Sequence, residues 1–201
     1  MDNKYLILVN KDNRMEDENM FRIVDVDSNY APNRKLEERT FEAFKKLKDL
    51  ALQNGFIIEI ESGYRSKDYQ QIVWDECIKE KGLEHTKKYV AVPGYSEHQT
   101  GLAVDFVLYE NDKYYEDHKM KGHPVLKFIN DNCSKFGFII RYPKDKEIIT
   151  GYGYEPWHLR YIDDINIAKY IMDNKLCLEE YLKKDKSLWF IFLIFEYFLF
   201  F

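Results

Sequence analysis

The 201-residue chain is poor in features that mark several protein classes. It has only three cysteines, which are odd in number and isolated: Cys77, Cys133 and Cys177. A disulfide framework and a cysteine-rich zinc site are therefore not expected. Its basic residues never run longer than two in a row, and its net charge is −5. This charge pattern offers no binding surface for nucleic acid or for anionic lipid, so no nucleic-acid partner is expected.

What remains is the composition of a folded domain. Hydrophobic residues make up 45% of the chain and aromatic residues 16%. Disordered segments combine low hydrophobicity with high net charge, and this chain has neither. The length fits one domain of roughly 100–200 residues, which buries a core without disulfides.

The two ends of the chain stand apart from its body. The apolar stretch at residues 5–9 is shorter than the roughly 7–15 residues of a signal-peptide core, and no small-residue cleavage site follows. The sequence therefore indicates either a protein that stays inside the cell or one whose export signal is missing from this sequence.

Residues 188–201 hold eight aromatic residues, with Glu196 in their middle. As a helix they would span about 21 Å, less than the roughly 30 Å of a bilayer core. They could pack on the domain, anchor it at a membrane surface, or form an extension outside it. The abrupt change in composition favours the extension, which predicts a domain over residues 1–187 and a tail over residues 188–201.

Apolar spacing and capping residues predict the order of the main elements. Helices are expected from Asn33, as N-cap, to about Asn54, from Ser66 to Lys81, and from Pro124 to Gly137, with two more over residues 165–174 and 178–184. Strands are expected over residues 56–60, 102–108, 138–140 and 157–162. Because these elements show no regular βαβ repeat, the expected class is α+β, with a small antiparallel sheet flanked by helices.

Three stretches place polar or ionisable groups beside glycine and aromatic residues. They read SGYRS at residues 62–66, SEHQTGLAVD at residues 96–105 and EPWHLRY at residues 155–161. In the second stretch, Asp105 sits in the middle of an apolar strand, where a carboxylate is costly unless it is paired or binds a cation. Gly101 can turn the chain and bring His98 alongside. Taken alone, Asp105 fits a hydrogen-bonded core residue as well as a metal ligand.

The third stretch favours the metal ligand. Strand alternation puts His158, Arg160 and Ile162 on one face, and Trp157, Leu159 and Tyr161 on the other. Because Glu155 precedes a proline, it is expected in a loop that leads into this strand. Two histidines, one aspartate and a nearby glutamate are what a catalytic zinc site requires, since three protein ligands leave a position for water.

The three stretches together resemble the signatures of a known enzyme family. The three stretches are similar to signatures of the M15 zinc peptidases, and specifically to the VanY-like D-alanyl-D-alanine carboxypeptidases. The resemblance covers roughly residues 5–184. It implies one Zn²⁺ held by His98, Asp105 and His158, with Glu155 as general acid and base. It also implies that Arg65 stabilises developing negative charge, and that Ser96 and Gln70 bind substrate, Ser96 at the terminal carboxylate.

The other candidate residues are expected to have structural roles. Arg160 is predicted to pair with a carboxylate, His123 to cap a helix, and the cysteines to be small buried hydrophobic residues. His85 and His118 lie in charged stretches and are expected to be solvated.

The resulting hypothesis is a zinc carboxypeptidase that removes the C-terminal D-alanine from peptidoglycan stem peptides or their precursors. Two alternatives on the same scaffold are an L,D-carboxypeptidase and a D,D-dipeptidase. Two more are a wall-remodelling enzyme that cuts internal peptide bonds and a wall-peptide-binding module without turnover. The resemblance also implies an exported or membrane-associated enzyme, whereas no export signal is visible, so the sequence leaves a cytoplasmic location open. Membrane contact, if any, is expected through the tail.

Overall fold

A computed structural model describes residues 3–184 of the chain. The tail at residues 188–201, and the domain boundary predicted before it, lie outside these described residues. The strands within residues 3–184 are β1 (Ile23–Val26), β2 (Arg34–Glu37), β3 (Ile57–Ser62), β4 (Ala103–Glu110), β5 (Lys113–Tyr115), β6 (Phe138–Tyr142) and β7 (Glu155–Tyr161).

Helices lie before, between and after these strands. The α-helices are α1 (Glu38–Gln53), α2 (Lys67–Lys81), α3 (Leu83–Tyr89), α4 (Pro124–Asn132), α5 (Glu147–Thr150) and α6 (Ile165–Asp173), and residues 178–184 are also helical. Short 3-10 helices cover Lys4–Leu6, Glu97–Thr100, Asp117–Met120 and Cys133–Phe136. The predicted α+β class is confirmed. Within residues 3–184, no helix combines the length and apolar composition needed to cross a bilayer.

Five strands form one antiparallel sheet around β4. The order is β3-β4-β7-β6, and β5 pairs with the end of β4 beyond β7. Each strand pair described in this sheet is antiparallel. Strands β1 and β2 form a separate antiparallel pair. Strand β4 is therefore central, and a residue on it can meet residues of both β3 and β7.

The two faces of the sheet differ in character. On one face, Val104, Phe106 and Leu159 join the main core with residues of α1 and α4. On the other face, Ile139 of β6 belongs to a smaller cluster that includes residues of α6. The predicted alternation along β7 is confirmed, because Trp157, Leu159 and Tyr161 lie in the main core and His158 and Arg160 do not.

Several predicted helix ends are confirmed by their capping contacts. Ser66 caps α2 by accepting a hydrogen bond from the Tyr69 amide, and Gly82 ends it. His123 accepts from the Val125 amide at the start of α4, where Pro124 is the first residue. Such caps stabilise a helix by about 1 kcal/mol each.

The start of α1 is predicted wrongly. The helix begins at Glu38, and its N-cap is Glu37, whose side chain accepts from the Thr40 amide. The preceding residues form β2, which pairs with β1, and Asn33 has a φ of +57°. The sequence contains the helical spacing, but it does not show that a distant strand pairs with residues 34–37, and this tertiary pairing prevails over local preference.

The strand that carries the third signature also begins earlier than predicted. Glu155 is the first residue of β7 and pairs with Tyr142 across a register shift, so it is not in a loop. A proline at the second position is tolerated where the ladder is irregular. Glu155 is therefore held by the sheet itself.

A buried ion network joins three parts of the chain. One Glu97 carboxylate oxygen accepts from Arg141 Nε at 2.7 Å and from Arg160 Nη1 at 2.9 Å. Arg160 Nη2 also donates to the carbonyls of Tyr5 and Ile7, at 2.8 and 2.9 Å. The side chains of Glu97 and both arginines are at most 1% exposed. The predicted carboxylate partner of Arg160 is therefore Glu97.

Replacing Arg160 should destabilise the fold strongly. Arg160→Ala leaves Glu97 with one guanidinium partner and removes the donor that serves the Tyr5 and Ile7 carbonyls. Because breaking a buried pair costs about 3–5 kcal/mol, the free energy of unfolding, measured by urea denaturation, should fall by about this amount. Lys169→Ala is the control, because its ion pair with Asp173 is exposed and contributes under about 1 kcal/mol. A loss at Arg160 no larger than at Lys169 would contradict this account.

Candidate active site

The structure brings together the three residues expected to bind a metal. His98 lies in the 3-10 helix Glu97–Thr100, Asp105 in β4 and His158 in β7. One ligand atom from each lies within 4.8 Å of the others, and all three residues are buried. Asp105 and His158 face each other directly in the β4–β7 ladder. Neighbouring strands thus place two of the three side chains.

A tight turn places His98. Ser96 caps its 3-10 helix, accepting from the His98 amide at 3.3 Å, and Gly101 ends the helix with a φ of +72°. A Cβ at Gly101 would lie 2.5 Å from Ile23 Cδ1 and 2.8 Å from the Glu37 amide nitrogen. Both the positive φ and the close backbone contact require glycine here.

Each histidine faces Asp105 through one nitrogen, and His98 is held through the other by a hydrogen bond to backbone. His98 Nδ1 lies 2.7 Å from the Gly63 carbonyl oxygen, and its Nε2 lies 3.1 Å from Asp105 Oδ2. His158 Nδ1 lies 2.9 Å from Asp105 Oδ1, while its Nε2 lies 3.7 Å from Glu97 Oε2. A carbonyl or carboxylate beside the remote nitrogen is the usual means of orienting a metal-binding histidine.

The chemistry of this trio fits a divalent metal. Asp105 Oδ1 is buried and lies 2.9 Å from His158 Nδ1, but this contact lacks the geometry of a hydrogen bond, and the oxygen has no other partner among the described residues. Burial alone would raise the pKa of Asp105, but His98 and His158 outweigh it and hold the pKa well below its usual range. The site therefore offers an ionised carboxylate and two imidazoles, a donor set that suits zinc.

Glu155 lies beside the trio in a different environment. It is 5% exposed, and its Oε2 lies 3.8 Å from His158 Nδ1. Burial raises its pKa to about 8, against the influence of the nearby His158. A carboxyl group that changes protonation state near neutral pH is suited to general acid and base catalysis.

Arg65 and Gln70 form a linked pair at the edge of the trio. Arg65 donates from Nη2 to Asp105 Oδ2 at 2.9 Å and from Nε to Ser62 Oγ at 2.8 Å. Gln70 Oε1 lies 3.5 Å from Arg65 Nη1, and Gln70 Nε2 donates to the Ala91 carbonyl at 2.9 Å. The structure therefore places Gln70 where it supports Arg65 and the backbone at Ala91.

These side chains line one pocket of about 180 Å³, together with Ser96, Tyr142 and Tyr152. A larger cavity of about 740 Å³ adjoins it, and the two share Tyr89, Asp117, His118 and Trp157 as walls. The site is thus a small polar chamber beside a wider groove.

Besides Glu97, the pocket contains two carboxylates that the sequence did not indicate. Glu61 is the extra residue of a bulge in β3, between Ile60 and Ser62, and its Oε2 is buried without a partner among the described residues. Burial and the charge of Asp105 raise the pKa of Glu61 to about 8. The pKa of Asp117 is also raised by burial and by Asp105. The position of Glu61 next to the SGYRS stretch was the available signal.

Cys77 and His118 differ in part from their predicted roles. Cys133 and Cys177 are buried as expected, but Cys77 is only partly buried and lines the pocket, because it lies on the side of α2 that faces the site. His118 is exposed as expected. Its ring nevertheless packs on Trp157, with 4.8 Å between ring centroids.

The fold and sequence match known proteins. A family model described as "VanY: D-alanyl-D-alanine carboxypeptidase" matches residues 33–164. A D-alanyl-D-alanine carboxypeptidase of Enterococcus faecalis (strain V583) is 38% identical over 191 residues, which cover 90% of this chain and 66% of the relative. Across four curated relatives that it matches, the chain spans between 48% and 66% of their lengths.

Solved structures show the same similarity. A Zn(II) complex of a mutant of the vancomycin-resistance D,D-pentapeptidase VanY has a TM-score of 0.76 at 36% identity, covering 89% of this chain and 98% of that one. The LD-carboxypeptidase LdcB has a TM-score of 0.77 at 40% identity, covering 90% and 87%. All three signature stretches lie inside the matched residues 33–164. The chain therefore belongs to the VanY family of D-alanyl-D-alanine carboxypeptidases.

Proposed function

We propose that this protein is a zinc-dependent carboxypeptidase that removes the C-terminal D-alanine from peptidoglycan stem peptides or their precursors. The observation that carries the proposal is the meeting of His98, Asp105 and His158 in one buried pocket with Glu155 beside them. Family membership and similarity to a zinc-bound VanY structure support the same activity.

Zinc is the proposed cofactor, with Nε2 of His98, Nδ1 of His158 and the Asp105 carboxylate as its ligands. A zinc ion with three protein ligands accepts a water molecule as its fourth ligand and lowers the pKa of that water to about 7. The Gly63 carbonyl keeps the His98 ring in the orientation that this binding needs.

Glu155 and Arg65 have different roles in the proposed reaction. Glu155 accepts a proton from the attacking water as the water oxygen bonds to the scissile carbonyl carbon. It delivers this proton to the leaving nitrogen as the carbon–nitrogen bond breaks. Arg65 donates hydrogen bonds to the carbonyl oxygen, where negative charge develops, because its guanidinium already lies at the edge of the trio.

An L,D-carboxypeptidase is the second candidate. It is favoured by the similarity to LdcB, whose identity and TM-score are close to those of the VanY structure. The two activities differ in the residue on the other side of the scissile bond, so the same catalytic groups serve both.

Stem peptides decide between these candidates. Zinc-loaded protein should shorten a pentapeptide ending in D-Ala-D-Ala by one alanine, as seen by mass spectrometry, and should leave a tetrapeptide ending in a single D-Ala intact. Loss of alanine from the tetrapeptide alone would instead identify the L,D-carboxypeptidase, and hydrolysis of free D-Ala-D-Ala alone would identify the dipeptidase. Bound zinc without any change of mass would contradict the carboxypeptidase and favour a binding module or an enzyme that cuts internal bonds.

Replacing Glu155 should remove turnover and leave the metal in place. In Glu155→Gln the side chain keeps its size but no longer accepts a proton, so kcat should fall by about 10²–10⁴-fold with little change in KM. Zinc content measured on the same sample is the control. Activity that survives this substitution would exclude the proposed role of Glu155.

The proposed metal site can be tested through zinc content and thermal stability. The protein should bind one zinc per chain, and a chelator should lower its melting temperature, because a metal that binds only the folded state stabilises it. His158→Ala should lose the zinc. His123→Ser is a matched control, because this histidine lies outside the trio and serine also caps a helix. Equal zinc content in both variants would refute the assignment.

Arg65 is tested by a change that keeps its charge. Arg65→Lys removes the planar fork, so it should lower kcat/KM by about 10²–10³-fold while zinc content stays at one per chain. If zinc is lost as well, the main role of Arg65 is to hold Asp105.

A further inference from the structure

The helical segment at residues 178–184 carries a carboxylate that reaches into the interior. Glu179 is the second residue of this segment, and its side chain is only 13% exposed. It lies beyond residues 33–164, which the family model matches, and it does not line the pocket that holds the metal-binding trio. Contact with a substrate therefore does not explain why a carboxylate is buried here.

Glu179 holds Arg141 at two points. Arg141 donates from Nη1 to Glu179 Oε2 at 2.9 Å and from Nη2 to Glu179 Oε1 at 2.7 Å. The same guanidinium donates from Nε to Glu97 Oε1 at 2.7 Å. Because a guanidinium is planar and rigid, a two-point contact at its far end also fixes the direction of its third donor. Glu179 therefore determines where Arg141 meets Glu97.

Apolar contacts attach this helical segment to the domain without help from Glu179. Leu178 is fully buried in the small cluster that contains Ile139 and Ile162, and Tyr181 and Leu182 pack against the same cluster. A buried ion pair is often no more stabilising than well-packed apolar residues of similar volume. The attachment of the segment thus gives no reason for a charge at position 179, whereas the contact with Arg141 does.

The contacts lead from Glu179 to two of the proposed metal ligands. Glu97 directly precedes His98 in their 3-10 helix, and it also binds Arg160 of β7. Its Oε2 has no hydrogen-bond partner among the described residues and lies 3.7 Å from Nε2 of His158. A displacement of Glu97 would therefore reach His98 along the chain and His158 across this contact.

The charges of the network balance only when Glu179 is included. Two carboxylates, Glu97 and Glu179, bind two guanidinium groups, Arg141 and Arg160. Without the charge of Glu179, one positive charge would be left in excess in the interior, where charges are only weakly screened. An excess positive charge beside Glu97 would oppose the binding of a divalent cation by the neighbouring histidines.

We propose that Glu179 is a positioning residue for the metal site. By holding Arg141 and balancing its charge, it fixes Glu97 and so keeps His98 and His158 in the arrangement that binds zinc. The helical segment at residues 178–184 is then part of the catalytic apparatus, although it lies outside the pocket. The effect on turnover rests on the proposed carboxypeptidase function, whereas the effect on zinc binding does not.

The next residue, Glu180, provides a matched control. It lies on the same segment, pairs with Lys146 at 2.8 Å and accepts from the Cys177 amide at 2.9 Å, and none of its described contacts reaches Arg141 or Glu97. Glu179→Gln and Glu180→Gln each remove one negative charge and keep the size of the side chain. Both are compared with wild type by titrating zinc-loaded, full-length protein with a chromogenic chelator, after circular dichroism has shown that each protein is folded.

Glu179→Gln should weaken zinc binding about ten- to a hundredfold, the usual effect of removing a residue that orients metal ligands, and Glu180→Gln should keep the wild-type affinity. A purely structural role would lower the melting temperature without this difference in zinc affinity. Equal affinities in the two variants would overturn the proposal. If Glu179→Gln does not fold, Glu179→Asp replaces it, with Glu180→Asp as control. The shorter side chain loses the two-point contact, so a wild-type zinc affinity in Glu179→Asp would also overturn the proposal.

A kinetic measurement separates positioning from substrate binding. With zinc saturating and a pentapeptide ending in D-Ala-D-Ala as substrate, Glu179→Gln should lower kcat about tenfold or more with little change in KM, because Glu179 lies outside the pocket. A raised KM with an unchanged kcat would contradict the positioning role. If wild type hydrolyses no stem peptide, the proposed function fails, and the chelator titration still decides the role of Glu179.

Discussion

The Glu97 carboxylate between Arg141 and Arg160 is the interaction on which the site depends. Glu97 precedes His98 in a short 3-10 helix, and the two arginines lie on β6 and β7. Arg160 also binds carbonyls near the N-terminus. Each of these buried charges is tolerable only while the others stay in place. The network therefore joins the turn that carries His98 to the strand that carries His158.

Three buried carboxylates in this pocket have distinct electrostatic environments. Two guanidinium groups lower the pKa of Glu97, two imidazoles lower that of Asp105, and burial raises that of Glu155 to about 8. Residues of the same chemical type therefore serve as a structural anion, a proposed metal ligand and a proposed proton carrier. The roles follow from neighbouring groups that the fold brings in from distant parts of the chain.

Local sequence was enough to predict helices bounded by clear capping and helix-ending residues. It failed where a strand pairs with a distant part of the chain. Ser66 and Gly82 bound α2, and Pro124 and Gly137 bound the helical segment between them, as expected. Strand β2 was missed because its partner β1 has no local signature. Within the site, the signatures singled out the trio and Glu155, which the structure then brings together. Glu61 was missed because its importance comes from burial and from an absent partner, which spacing does not show.

The direct pairing of Asp105 with His158 limits how such a chain can diverge. Side chains alternate between the faces of a sheet, so one residue inserted or deleted in β4 or β7 would turn one partner toward the main core. Length changes are tolerated only outside these paired stretches. The roughly 50 residues that connect Asp105 to His158 line much of the adjoining groove. Insertions in that connection can therefore change substrate preference, while strand register keeps Asp105 and His158 paired.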